Sequence, residues 1–294
     1  MKVTVFGATG VVGRALLPLL ADHEVTAVSR SPHEDAGARW VVADAATGDG
    51  VASALEGANV AYHLVHSLGS SDFEKQDRAA AETVAREAAS AGVEQIVYLG
   101  GLGADDPDAS LHLRSRRETG ERLASAGVPV TTLRAAMIVG RGSAAFETIL
   151  GLVRRLPVMI TPTWVSTPTQ PIALEAIAGY LAAVCGNEDT LGEGFDVGGP
   201  EVMTYRQMME RIARLLGRTP VIVEVPVLTP YLSALWLNLV TPVNASVARP
   251  LIEGLRNPTI AREERIRELV PLALTPFDEA AQRALSSEAA GTRG

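Results

Sequence analysis

Short apolar runs alternate with longer helical stretches through the first half of the chain. Lys2 to Phe6 reads as a buried strand, and Val25 to Ser29, Trp40 to Ala43, Val60 to His66, Gln95 to Leu99 and Val130 to Arg134 predict five more. Between the fourth and fifth of these, Asp72 to Ala91 sets Ala80, Val84 and Ala88 on one helical face at a spacing of four. Between the fifth and sixth, Leu111 to Ala126 packs through Leu113, Gly120 and Leu123. Strands and helices that alternate in this way predict a mostly parallel sheet with both faces covered. Small residues on the helices let them approach that sheet closely.

The punctuation changes after residue 140. Ala144 to Arg155 predicts a helix, Leu156 to Ile160 a strand, and Ile172 to Val184 a helix preceded by Pro171, where an initiating proline is tolerated. Phe195 to Val197 is a short strand before Gly198-Gly199-Pro200. Thr204 suits the N-cap of a helix from Tyr205 to Leu216, closed by Gly217. Val221 to Val225 is a further strand, and apolar helices broken by prolines follow from about residue 226. The expected division is a nucleotide-binding part over 1–140, with later segments available to complete its sheet, and a substrate-binding and lid lobe over 141–294. No flexible linker separates them.

The first strand runs directly into Gly7-Ala8-Thr9-Gly10-Val11-Val12-Gly13, followed by the apolar run Ala15 to Leu20. Gly7 permits a tight turn, Gly10 lets a backbone approach a pyrophosphate, and Gly13 lets the helix pack against the strand. The N–H groups of the first helical turn, from Thr9 through Val11, Val12 and Gly13 to Arg14, would hold the phosphates. With the alternation above, this predicts an α/β fold: a Rossmann-type doubly wound parallel sheet with a smaller C-terminal substrate and lid lobe.

Ligands in such sheets lie beyond the carboxyl ends of the strands. The second strand ends at Ser29-Arg30, where an acidic residue would instead favour the bare ribose of NAD(H). A guanidinium beside hydroxyls suits a 2′-phosphate and predicts NADP(H) in preference to NAD(H), with Arg14 assisting. Asp44, after the third strand, is either an adenine contact or a turn residue. His66 and Ser67 end the fourth strand, His66 as a polar wall or an ordinary loop histidine. Gly100 and Gly101 end the fifth, as backbone close to a ligand or as a tight loop.

Composition narrows the partners. Of 294 residues, 47% are hydrophobic and 20% charged, with a net charge of −8, so no basic surface awaits a nucleic acid. The single cysteine, Cys185, rules out an intrachain disulfide and a thiolate metal site, and no metal is expected. Pro226, Pro230 and Pro242 interrupt the most apolar late stretch, so stable membrane insertion is not expected. The first strand begins at residue 2, leaving no room for a secretion signal, and a cytoplasmic location is expected. Monomer and homodimer both remain open.

These residues resemble the short-chain dehydrogenase/reductase superfamily on its extended, atypical side, over about residues 1–225. Tyr98-Leu99-Gly100-Gly101-Leu102 and His112-Leu113-Arg114-Ser115-Arg116 resemble a bacterial NAD(P)-binding, NmrA-like group. Val227-Leu228-Thr229-Pro230, Thr241-Pro242-Val243 and Arg249 to Glu253 extend that likeness. The superfamily carries a tyrosine, a lysine four residues later and a serine at the fifth strand's end. Here His112 stands at the tyrosine position, Arg116 at the lysine position, and Gly100 or Gly101 at the serine position. A shift of one residue selects Leu113 and Arg117 instead. The resemblance makes His112 a candidate proton donor as an imidazolium, Arg116 a candidate ribose ligand, and Ser67 an alternate hydrogen-bond donor to substrate.

Arg134, Met137, Gly140 and Gly142 are expected to line the cleft. Met159, Trp164, Gln170, Leu232 and Trp236 are expected to form an apolar pocket under a lid. The resulting expectation is an NADPH-dependent oxidoreductase of the ketoreductase kind. It would reduce a bulky hydrophobic ketone or quinone by hydride transfer, with a non-standard proton donor. The alternative is a non-catalytic NADP(H)-binding sensor, regulator or assembly factor. Epimerisation of a sugar nucleotide is disfavoured, because that chemistry leans on the missing tyrosine.

Overall fold

The computed structural model describes residues 1–33, 37–67, 72–225 and 256–291. Six parallel strands come from the first half of the chain: β1 (Lys2–Phe6), β2 (Glu24–Ser29), β3 (Arg39–Val42), β4 (Val60–His63), β5 (Gln95–Gly101) and β6 (Val130–Ala135). Four short strands follow: β7 (Ile138–Val139), β8 (Val158–Pro162), β9 (Pro168–Thr169) and β10 (Ile172–Ala173). Then β11 (Gly194–Val197) returns to the main sheet as its seventh member. The spatial order is β11-β6-β5-β4-β1-β2-β3, with every neighbour parallel. The order reverses between β1 and β4, the crevice where doubly wound sheets bind ligands.

The strands are buried on both faces, so they read as continuous apolar runs. On one face Val3, Val5, Tyr62, Val97 and Leu133 pack under α1 (Val11–Leu16) and later elements. On the other, Phe6, Val28, Ala61, Ile96 and Tyr98 pack under α2 (Val51–Leu55), α3 (Phe73–Ser90) and α4 (Leu111–Ala124). Ala80, Val84 and Ala88 are buried on α3 as their spacing predicts. The later part contributes α5 (Ala144–Arg155), α6 (Leu174–Ala183), β12 (Met203–Thr204), α7 (Tyr205–Leu215), β13 (Val221–Val225), α8 (Arg265–Leu269) and α9 (Phe277–Gly291). Thr204 caps α7 in a reciprocal box: its hydroxyl accepts from the Gln207 N–H, and the Gln207 side chain accepts from the Thr204 N–H.

Three boundaries differ from the sequence pattern, each for a tertiary reason. β4 stops at His63 rather than His66, because its neighbour β1 stops at Phe6; the Leu64 N–H makes the last bond, 2.9 Å to the Phe6 carbonyl. Ile172 and Ala173 are extended rather than helical, because they pair with Ile138 and Val139 of β7. β8 begins at Val158 and pairs in parallel with β13. The apolar segment from 226, with Leu232, Trp236 and the lid motifs to Glu253, lies outside the described residues.

Two polar features lie within the sheet, and one of them ties it to later segments. Arg134 and Asp196 face each other across β6 and β11, and the Arg134 Nε donates to the Asp196 carboxylate at 2.6 Å. The other Asp196 oxygen accepts from the Arg262 N–H at 2.9 Å, while Glu263 accepts from the Asp196 N–H. This carboxylate therefore joins the sheet edge to the segment before α8. The second feature is His63, in register with Phe6 and Tyr98 and completely buried. Neither of its ring nitrogens has a hydrogen-bond partner among the described residues. Burial, with the Arg116 guanidinium nearby, pushes its pKa down to about 4.

Asp196→Ala removes one charge from a mostly buried pair and leaves Arg134 uncompensated. It should lower the unfolding free energy by about 2–3 kcal/mol in urea titrations. For His63, the unfolded chain takes up its proton near the ordinary histidine pKa and the folded chain only near 4. Stability is therefore full above about pH 6.5 and falls as pH drops toward 4, by about 3 kcal/mol from this group. Urea midpoints for His63→Met should show a flatter decline over that interval than the wild-type protein; an identical decline would assign the acid sensitivity elsewhere.

Candidate cofactor and active site

A cleft of about 710 Å³ opens at the carboxyl edge of the sheet. Phe6, Gly7, Thr9 and Gly10 line it from the β1 turn, Ser29 and Arg30 from the end of β2, and Asp44 from the end of β3. Leu64 to Ser67 line it from the end of β4. The cleft therefore lies at the strand-order reversal.

The glycine turn is built from close backbone contacts. Gly7 has φ +85°, and a Cβ there would lie 2.8 Å from the Leu64 carbonyl carbon. A Cβ at Gly13 would come 2.3 Å from the Gly7 oxygen, so the helix rests directly on the turn. The Gly10 N–H donates to the Gly7 carbonyl at 3.0 Å, and the Arg14 N–H to the Gly10 carbonyl at 2.9 Å. The first-turn N–H groups of Val11, Val12 and Gly13 have no carbonyl one turn before them. Backbone donors beside a crowded glycine turn and an open cleft fit a dinucleotide pyrophosphate.

At the other end of the cleft, Ser29 is buried and its hydroxyl donates to the Ser31 carbonyl. Arg30 is exposed and makes no ion pair among the described residues. Asp44 is both a turn residue and a wall: its carboxylate accepts from the Ala46 N–H at 2.8 Å while it lines the cleft. Arg14 is elsewhere. It faces a separate hollow with Val11, Ala15, Arg141, Gly142 and Leu174.

Gly100 and Gly101 are neither a loop nor part of the cleft wall. Both belong to β5, and a Cβ on Gly101 would meet the Leu113 side chain at 2.9 Å. The small residue there admits α4. Arg116, one turn after His112 on α4, donates to the Leu99 carbonyl and lies over the Tyr98 ring at 5.1 Å. The Tyr98 hydroxyl returns a bond to the Arg116 carbonyl at 2.8 Å. The guanidinium that the family pattern assigns to a ribose thus has a partner within the protein, where it clamps α4 to β5.

Asp77 is the residue that the sequence pattern missed. It is buried on α3, and its carboxylate accepts from the Ser67 N–H at 2.9 Å and pairs with the His66 Nδ1 at 2.9 Å. Burial acts to raise its pKa, but the His66 and Ser67 hydrogen bonds outweigh that and hold it below the usual carboxylate range. Its signal was an acid three residues before Ala80 on the apolar face of α3. The His66 and His112 rings stand 5.0 Å apart. Burial first, and then Arg116, lower the His66 pKa, while Asp77 opposes them. Burial, His66 and Arg116 take His112 down to about 3. His112 is therefore a neutral imidazole at pH 7, which corrects the expected imidazolium.

The residues expected under the lid mostly serve the core. Met159 is fully buried, Met137 is buried, and the Gln170 side chain bonds the Gly199 carbonyl and the Ala261 N–H. Trp164 packs edge-on against Tyr205. A Cβ on Gly140 would strike Leu174, and Arg134 is held by Asp196. Among the described residues no cluster of side chains suits a metal, and no helix is long and apolar enough to cross a membrane.

Residues 7–139 match a family model described as NAD(P)H-binding. The chain is 29% identical over 224 residues to (4-alkanoyl-5-oxo-2,5-dihydrofuran-3-yl)methyl phosphate reductase of Streptomyces griseus subsp. griseus, covering 74% of each. It is 23% identical over 240 residues to mitochondrial NADH dehydrogenase (ubiquinone) 1 alpha subcomplex subunit 9 of Arabidopsis thaliana. That match spans 76% of this chain and 60% of the plant subunit. An NADPH-dependent quinone oxidoreductase from Escherichia coli, solved with NADPH, shares the fold with a TM-score of 0.76 and 20% identity, over 96% of this chain and 99% of that one. The glycine turn, the sheet order and the match over residues 7–139 thus agree on a Rossmann-type fold whose first half resembles NAD(P)H-binding proteins.

Proposed function

We propose that the protein is an NADPH-dependent reductase acting on a bulky, weakly polar ketone or quinone. The observation that carries this is the single cleft that runs from Arg30 past the glycine turn to His66 and Ser67. It joins a cation suited to a 2′-phosphate with half-buried His66, whose ring lies beside His112 and is suited to proton transfer. A reduced nicotinamide bound there would supply hydride to the substrate carbon. Thr9 and the first-turn backbone would hold the pyrophosphate, with Arg30 and Ser29 at the ribose phosphate. His66, Ser67 and His112 would bound the reacting end and exclude water. The reductase names borne by the Streptomyces and Escherichia proteins support this reading.

A second reading, an NADP(H)-binding regulator or assembly factor without turnover, draws on one specific feature. The positions of the family tyrosine and lysine hold a neutral His112 and an Arg116 already bonded to Leu99. NADPH oxidation with menadione and with 9,10-phenanthrenequinone separates the two. Turnover with either supports the reductase, and tight NADPH binding with no hydride transfer to either favours the regulator.

Arg30→Ala tests the cofactor preference. Loss of a charged hydrogen bond to the 2′-phosphate should weaken NADPH binding roughly 10- to 100-fold by calorimetry and leave NADH binding unchanged. An equal loss for both cofactors would remove the 2′-phosphate assignment.

A further inference from the structure

We propose that Asp77, His66 and His112 form a proton relay ending at the His112 Nε2, which serves the reduction argued above and rests on that reading. Two buried ring nitrogens carry the inference. Among the described residues the His66 Nε2 and the His112 Nδ1 are both buried without a hydrogen-bond partner, on rings whose centres lie 5.0 Å apart and are tilted by 35°. Each buried orphan is costly alone; the two do not hydrogen-bond in this structure, and a ring rotation that brought them together would let one hydrogen satisfy both. The far nitrogen of His66 is already committed: its Nδ1 meets the Asp77 carboxylate at 2.9 Å, and the Ser67 N–H fixes the other carboxylate oxygen at 2.9 Å. Asp77 therefore sets the tautomer of His66, with hydrogen on Nδ1, and leaves its Nε2 as the free acceptor on a ring beside His112.

The relay removes an apparent obstacle. A histidine whose own pKa is about 3 is a poor proton store. It is a good conduit if it gives up Nε2–H while gaining a hydrogen at Nδ1. In the loaded state His66 carries both ring hydrogens against the Asp77 carboxylate, and His112 carries hydrogen on Nε2. As hydride from a bound reduced nicotinamide reaches the carbonyl carbon, the carbonyl π bond breaks and the oxygen takes the His112 Nε2 proton. His112 Nδ1 takes the His66 Nε2 proton, and the Nδ1–H of His66 stays on Asp77. The site loses one proton and the substrate gains a hydride and a proton; solvent then returns a proton to His112 Nε2 while the His112 Nδ1 hydrogen passes back to His66 Nε2, which restores the loaded state. His112 is the proton donor; His66 and Asp77 act through it.

The charged and titratable groups around this chain are Arg116 on α4, His63 on β4, Tyr98 on β5 and Asp77 on α3. Arg116 disfavours the loaded state and Asp77 favours it, so removing the Asp77 charge must shift loading to lower pH. Rising pH empties the relay, and reduction should slow as it does.

The test is a pH titration of the full chain labelled with ¹⁵N-histidine and followed by imidazole NMR from pH 5 to 8. Only five histidines are present, and single substitutions assign them. The relay predicts that His66 and His112 titrate as one coupled step. Asp77→Asn should lower the midpoint and move the His66 hydrogen from Nδ1 to Nε2, because the asparagine amide donates where the carboxylate accepted. His66→Gln, a second variant that leaves the Asp77–Ser67 bond possible, should change the His112 tautomer. A His112 spectrum unaltered by both variants, or two independent titrations, would overturn the relay. In parallel, kcat for menadione reduction by Asp77→Asn should fall roughly 100-fold, with its high-pH limb moved to lower pH and NADPH affinity preserved. Coupled titration without any wild-type turnover would overturn the reductase reading and uphold the coupling. Turnover with independent titrations would overturn the relay alone.

Discussion

The carboxyl edge of the sheet depends on how closely three pieces of backbone meet at Gly7. The end of β1, the Leu64–Val65 stretch after β4 and the start of α1 all converge on a residue with φ +85°. A Cβ at Gly7 would lie 2.8 Å from Leu64, and one at Gly13 would lie 2.3 Å from the Gly7 oxygen. Side chains at these positions would push β4 or α1 away and close the cleft between them. The same contact stops β1 and β4 at Phe6 and His63, which releases His66 and Ser67 from the sheet and lets Asp77 take hold of them. The geometry of cofactor cleft and histidine cluster thus has a common origin.

The second organising element is charge placed under low polarity. Arg116 lies against Tyr98 and the Leu99 carbonyl, close enough to disfavour protonation of His63, His66 and His112. The half-buried guanidinium stays charged, so the histidines are the groups that yield. Asp77 is the opposing charge: it favours protonation of all three rings but hydrogen-bonds His66 alone. A guanidinium and a carboxylate on neighbouring helices thereby distinguish His66 from the other two rings of the cluster.

The later part of the chain supports this edge from the side. β11 extends the sheet beyond β6, and Asp196 links it to Arg134 and to the Arg262 backbone. Arg211 ties α7 to α9 through Glu201 and Asp278, and the Phe277 N–H also bonds Glu201. Residues after 140 are thus part of the same sheet and core as those before it.

Much of the fold is legible along the chain, because its information is local. The buried strands are short β-branched runs, α3 carries a small apolar residue at every fourth position in Ala80, Val84 and Ala88, and Thr204 and Gln207 are a cap that any helix of that sequence would use. The glycine turn is legible for the same reason: positive φ and close approach restrict the residue type wherever the turn occurs. What tertiary structure alone decided is which polar groups meet. Asp77 and His66 are eleven residues apart, His112 lies on another helix, and Arg116 points back to a strand end. Their charge states follow from burial and from one another, and neither quantity is encoded at any single position. For that reason His112 is visible in the sequence as an acid candidate, while its neutrality and its neighbours belong to the fold.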